Sequence, residues 1–133
     1  MPKRRILIID DEQGFTRLVK LYLEETGRYE VQAESRGAHG VAAAREFHPD
    51  LILLDIIMPD LDGASVAAQL REDAELRDIP VLFLTAMVSR EETGAQSRVI
   101  GGNPFLAKPQ SMEMLIACIE QQLGSISQPA PRR

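Results

Sequence analysis

The sequence predicts an α/β domain built on a parallel β-sheet with helices on both faces, and three observations predict it. Short apolar runs without alternation, Ile6-Leu7-Ile8-Ile9, Leu51-Ile52-Leu53-Leu54 and Val81-Leu82-Phe83-Leu84, have the pattern of strands buried on both sides. Amphipathic segments of helical period separate them, and strand-helix alternation with right-handed crossovers yields a parallel sheet. Each run also ends on a polar residue: Asp10, Asp55 and Thr85.

Ile6 to Ile9 is the first strand. Over residues 12–26 the apolar residues Phe15, Leu18, Val19, Tyr22 and Leu23 recur at helical spacing, and Gly27 sits where a helix commonly ends. Tyr29, Val31 and Ala33 alternate with polar residues, as in a strand near a sheet edge, and a small-residue helix over 38–47 closes before Pro49. Leu51 to Leu54 is the third strand. The turn-rich stretch Met58-Pro59-Asp60-Leu61-Asp62-Gly63, with Asp60 and Asp62 as turn residues, leads into a helix carrying Val66, Ala67 and Leu70. After the strand Val81 to Leu84, Ser89-Arg90-Glu91-Glu92 has capping-box spacing for a fourth helix. Phe105-Leu106-Ala107 is the last strand, ending on Lys108. Ser111 then caps a final helix with Met112, Leu115, Ile116, Ile119 and Leu123 on one face, and Gly124 is expected to stop it. The domain therefore spans residues 4–123, with 124–133 as a flexible tail.

The chain has 133 residues, 44% apolar and 26% charged, which suits one globular core. Its net charge of -5 argues against a nucleic-acid or anionic-membrane surface, since both require clustered Lys and Arg. Cys118 is the only cysteine, which excludes an intrachain disulfide and points to a reducing, cytoplasmic setting. Lys3-Arg4-Arg5 is followed by an apolar run that Asp10 interrupts, too short for a secretion signal.

In an open parallel sheet, ligands bind outside the carboxyl ends of the strands. Asp10, Asp11, Asp55, Thr85 and Lys108 all stand at such ends, so residues distant in sequence converge on one rim. Crowded carboxylates repel unless a cation neutralises them, and a hard oxygen cluster suits Mg²⁺ (or Mn²⁺), with Asp10, Asp11 and Asp55 as candidate ligands. A carboxylate can also attack phosphorus when the charge on the transferring group is stabilised, here by the metal and Lys108. The Thr85 hydroxyl can bond a phosphoryl oxygen and so move its loop. Taken singly, each residue has a plainer reading: Asp11 as a helix cap, Asp55 as a turn residue, Thr85 as a strand-end residue, Lys108 as a solvated charge and Phe105 as core.

The set as a whole resembles the receiver domains of two-component response regulators, over roughly residues 4–123. The resemblance rests on Asp10-Asp11 after an apolar strand, Asp55 within Asp-Ile-Ile-Met-Pro-Asp-Leu-Asp-Gly, Thr85-Ala86, and Lys108-Pro109. It implies a flavodoxin-like five-stranded sheet of order 2-1-3-4-5 and a stand-alone receiver similar to the chemotaxis receivers. It further implies that a sensor histidine kinase or histidine phosphotransfer protein donates a phosphoryl group to Asp55. Mg²⁺ would then be held by Asp11, Asp55 and the Ile57 carbonyl, with Asp10 acting largely through water and Lys108 pairing with phosphoryl oxygens. Thr85 and Phe105 would be the coupled switch, read out by a partner protein on the face of the fourth helix, last strand and last helix. The Lys108-Pro109 bond would be cis, and Ile57 and Met87 would occupy the positions that tune phosphoryl lifetime, their apolar side chains favouring a long one. Gly101-Gly102-Asn103-Pro104 departs from the family's usual Gly-Ala turn.

Two other readings compete. An aspartate-nucleophile phosphatase would need a second acid two residues after the nucleophile, where this chain has Ile57. A pseudo-receiver would keep the fold and bind partners without phosphorylation.

Overall fold

The computed structural model describes residues 3–85, 99–100, 103–108 and 111–127. Strand β1 (Arg4–Ile9) leads to helix α1 (Gln13–Glu25), then β2 (Tyr29–Glu34), a single 3₁₀ turn (Gly37–His39) and α2 (Gly40–Phe47). Next come β3 (Leu51–Asp55), α3 (Gly63–Glu72), β4 (Val81–Thr85), β5 (Val99–Ile100), β6 (Asn103–Ala107) and α4 (Met112–Ser127). The fourth helix expected from Ser89, together with Met87 and Pro109, lies outside the described residues.

Strands β2, β1, β3, β4 and β6 pair in parallel in that order, so the five-stranded order 2-1-3-4-5 is borne out. Beyond these five parallel strands, the two-residue strand β5 pairs antiparallel at the β6 edge. Val99 pairs with Pro104 and Ile100 with Asn103. Strand β6 starts two residues earlier than the apolar run alone suggests.

Alternation within each buried run creates two cores. Ile6, Ile8, Leu51, Leu53, Leu82 and Leu84 face Val19 and Leu23 of α1 and Leu115, Ile119 and Leu123 of α4. Leu7, Ile9, Ile52, Leu54, Val81 and Phe83 face Ala43 and Ala44 of α2 and Val66, Ala67 and Leu70 of α3. Residues one apart point to opposite faces, so strands apolar on both are what this layered arrangement requires. The small residues of α2 allow close approach: a Cβ on Gly40 would come within 2.9 Å of Ile9.

Helix ends follow local chemistry. Asp62 caps α3 by accepting from Ser65 N–H at 2.9 Å, and Ser111 Oγ caps α4 by accepting from Met114 N–H at 3.1 Å. Gly27 ends the α1 turn at a φ of 79°, a backbone state that glycine adopts without Cβ strain. Three expectations fail. Helix α4 continues through Gly124 to Ser127, because Gly124 does not adopt the left-handed conformation that would terminate it. Leu18 is 50% exposed, lying off the buried stripe of Thr16, Val19 and Leu23, and Ala33 of β2 is also exposed. Among the described residues no helix is long and apolar enough to cross a membrane.

Candidate functional site

The parallel register brings the ends of β1, β3 and β6 to one rim. Ile9 pairs with Leu54, so Asp10 and Asp55, each one residue further on, are neighbours across the β1–β3 ladder. Asp55 pairs with Leu84, and Thr85 with Ala107, which places Thr85 and Lys108 on the same rim. The side chains of Thr85 and Phe105 lie outside the described residues; their backbones close β4 and run through β6, where Phe105 pairs with Phe83.

The expected acidic cluster is present. Ligating atoms of Asp10, Asp11 and Asp55 all lie within 4.8 Å of one another. Asp10 is fully buried and Asp55 is 5% exposed, whereas Asp11 faces solvent. Two buried carboxylates with one open to water form a site that a hard cation can enter without losing all its water, which fits Mg²⁺ and its preference for few protein ligands.

Electrostatics report the crowding. Burial, and then the charge of Asp10, push the Asp55 carboxyl up to about 7. Lys108 and a hydrogen bond from the Ile57 N–H pull the other way, while a hydrogen bond shared with Asp11 favours the protonated form. A carboxyl shifted this far upward retains its proton well beyond the range of an ordinary aspartate.

Lys108 is buried with its ammonium directed into this cluster, donating to Asp10 Oδ2 at 2.8 Å and to Glu12 Oε1 at 2.7 Å. Its Nζ also lies 4.7 Å from the centroid of the Phe15 ring. Burial disfavours the charged form, but the hydrogen bonds to Asp10 and Glu12 outweigh it and hold the lysine above its ordinary pKa. The plainer reading of Lys108 as a solvated charge is thus overturned. Asp11 does not cap α1 either: Glu12 occupies the cap position, and no side chain caps the helix there.

Sequence reasoning missed two residues. Glu12 holds Lys108 and also donates its N–H to Asp10 Oδ1 at 2.9 Å; its signal was a long acidic side chain at a cap position that favours short ones. Asp60, read as a turn residue, accepts from the N–H groups of Gly37 and Ala38, tying the turn before α2 to the loop after β3. Ile57, two residues past Asp55, is 54% exposed at the mouth of the site. Cys118 packs half-buried against the α1–α4 core, as a small apolar residue would.

Comparison with known proteins converges on one family. The model for the response regulator receiver domain matches residues 6–120. The chain is 34% identical to the polar-differentiation response regulator DivK of Brucella ovis, over 91% of this chain and 97% of DivK. It is 40% identical over 119 residues to the DNA-binding dual master transcriptional regulator RpaA of a Synechocystis strain, covering 90% of this chain but 48% of RpaA. The chain thus spans about half the length of RpaA, and likewise 50% of the probable transcriptional regulator ycf27 of Porphyridium aerugineum. Among solved structures, the signal receiver domain of a histidine kinase from Syntrophus aciditrophicus superposes with a TM-score of 0.79 at 28% identity, covering 98% of this chain and 97% of that one. The Vibrio cholerae chemotaxis protein CheY4 gives 0.77 at 25% identity, with 90% and 98% covered.

Proposed function

This chain belongs to the response regulator receiver domain family, and we infer that Asp55 is its phosphoacceptor in two-component signalling. The observation that carries this reading is the acidic cluster itself, with Asp55 buried in it and the Lys108 ammonium held beside it.

In this reading a phosphohistidine on a sensor kinase or phosphotransfer protein is the donor. The Asp55 carboxylate attacks phosphorus; the O–P bond forms as the N–P bond breaks, and the electron pair of that bond returns to the imidazole. Mg²⁺ at Asp11, Asp55 and the Ile57 carbonyl would neutralise phosphoryl charge and favour the reactive carboxylate form of Asp55. Asp10 contributes at one remove, since each of its oxygens already accepts a protein donor, from Glu12 N–H and from Lys108. Lys108 supplies the fixed positive charge, and Asp10 keeps it aimed. Ile57 offers no group to orient an attacking water, which favours a persistent acyl phosphate.

The output is a change in affinity for a partner protein, through Thr85, Phe105 and the face that includes β6 and α4. The net charge of -5 suits a protein partner better than nucleic acid. Turnover of exogenous phosphate esters is not expected, because Ile57 stands where a phosphatase needs its second acid.

Incubation with Mg²⁺ and acetyl phosphate, followed by intact mass, tests the assignment. One added phosphoryl group on the parent and none on Asp55→Asn is the expected result. No added mass, or equal labelling of the variant, overturns it and leaves a phosphorylation-independent interaction module as the better reading.

A further inference from the structure

Glu12 has a role that its position does not require. It is the N-cap of α1, where the side chain ordinarily accepts from the first helical N–H groups, yet this one makes no such bond. Its Oε1 accepts instead from Lys108 Nζ at 2.7 Å. An ammonium has three donors. Two serve Asp10 and Glu12, and the Phe15 ring lies against the same group with its centroid 4.7 Å away. No hydrogen bond joins Lys108 to Asp55 among the described residues; the two interact through space.

We propose that Glu12 is a resting-state latch on Lys108, holding the ammonium between itself and Asp10 and giving way when a phosphoryl oxygen on Asp55 engages the lysine. This rests on Asp55 being the phosphoacceptor. Glu12 acts through Lys108 and is a positioning residue.

Burial decides which partner lets go. The Asp10 side chain has no exposure, so losing its cation would strand a charge away from water. The Glu12 side chain is 62% exposed, and water replaces the lysine there at small cost. The Phe15 contact, with no formal charge, does not compete with a phosphoryl oxygen for the donor. The latch holds the unphosphorylated state and adds to the barrier for incorporation. Once it has opened it no longer acts, so it leaves the loss of the phosphoryl group unchanged.

The test compares the full chain with Glu12→Gln, Glu12→Asp, Glu34→Gln and Asp55→Asn, at saturating Mg²⁺ with acetyl phosphate, following incorporation and then label loss by intact mass. Glu12→Gln removes the charge; Glu12→Asp keeps the charge on a side chain one methylene shorter, which is expected to loosen the 2.7 Å contact. Glu34→Gln makes the same charge change at the end of β2, next to β1, without touching Lys108. Both Glu12 variants are expected to label about two- to fivefold faster than the parent, the weight of a part-exposed ion pair, with unchanged label loss. Glu34→Gln is expected to match the parent. Unchanged or slower labelling of the Glu12 variants, or equal acceleration by Glu34→Gln, overturns the latch. Labelling of Asp55→Asn equal to the parent would instead condemn the phosphoacceptor assignment, so the two failures are distinguishable.

Discussion

Of the ion pairs that join distant parts of this chain, Lys108–Asp10 and Arg28–Glu120 live in different solvents. Lys108 and Asp10 are 98 residues apart and meet at the sheet rim with side chains 6% and 0% exposed. Arg28 and Glu120 are 92 residues apart and join the start of β2 to α4, with side chains 58% and 44% exposed. Connectivity and charge are nearly the same. Burial differs, and it converts a dispensable contact into one on which the site depends: water can replace either partner of the exposed pair, but nothing replaces the cation beside Asp10.

The largest expected effect follows directly. Lys108→Met should destabilise the metal-free protein by about 3–5 kcal/mol in urea denaturation, because it leaves Asp10 buried and unpaired. Arg28→Ala should cost about 1 kcal/mol or less. Equal costs would break the comparison, and recovery of most of the loss in Asp10→Asn, Lys108→Met would sharpen it by tracing the penalty to the stranded charge.

A smaller effect probes the backbone around the buried site. A Cβ on Gly63 would lie 2.3 Å from the Asp55 carbonyl oxygen and 2.8 Å from Ile56 Cα. These are backbone atoms, and they are held close by the Gly63 N–H donating to the Ile56 carbonyl at 2.7 Å. Gly63→Ala should therefore cost about 1–3 kcal/mol and slow labelling of Asp55 as its loop is displaced. A stable variant with normal labelling would show that this loop has slack.

The smallest effect is the pH dependence of the site. The Asp55 carboxyl rises from 3.8 to about 7 on folding, so the native state binds the proton more tightly than the unfolded chain does. The contribution is fully present below about pH 4 and is lost as pH rises through about 7. In chelator, the parent should lose on the order of 1 kcal/mol more than Asp55→Asn between pH 5 and 8, a modest slope because water reaches the site through Asp11. Saturating Mg²⁺ should remove that difference. Parallel stability curves in chelator would show that Asp55 is not under the strain of its neighbours.

Much of this fold was legible because its signals are local. Continuous apolar runs marked β1, β3 and β4, and Ser111 and Gly27 marked helix ends through chemistry confined to one turn. The strand-end rule then gathered Asp10, Asp11, Asp55 and Lys108 before any distance was known. The β5–β6 hairpin was missed because Val99-Ile100 is too short to show a period, although Gly101-Gly102 is a hairpin signal in its own right. Leu18 was misassigned because helical spacing identifies a face without setting its width; the sheet decided which part of α1 it would cover.

The sequence by itself determined the layered architecture, the strand order that its family resemblance implies, and the acids and lysine available at the rim. Apolar period, turn chemistry and the residue closing each strand are written along the chain, and the parallel sheet collects them at one end. Tertiary structure alone decided how those groups share their bonds: that Asp10 is sealed while Asp11 is open, that Asp55 is pushed toward its protonated form, and that Lys108 is divided between Asp10 and Glu12. Each of these depends on burial and on distances between residues that the sequence holds far apart. Solvation and Coulomb energy are functions of position in the folded protein, with no counterpart in the order of residues.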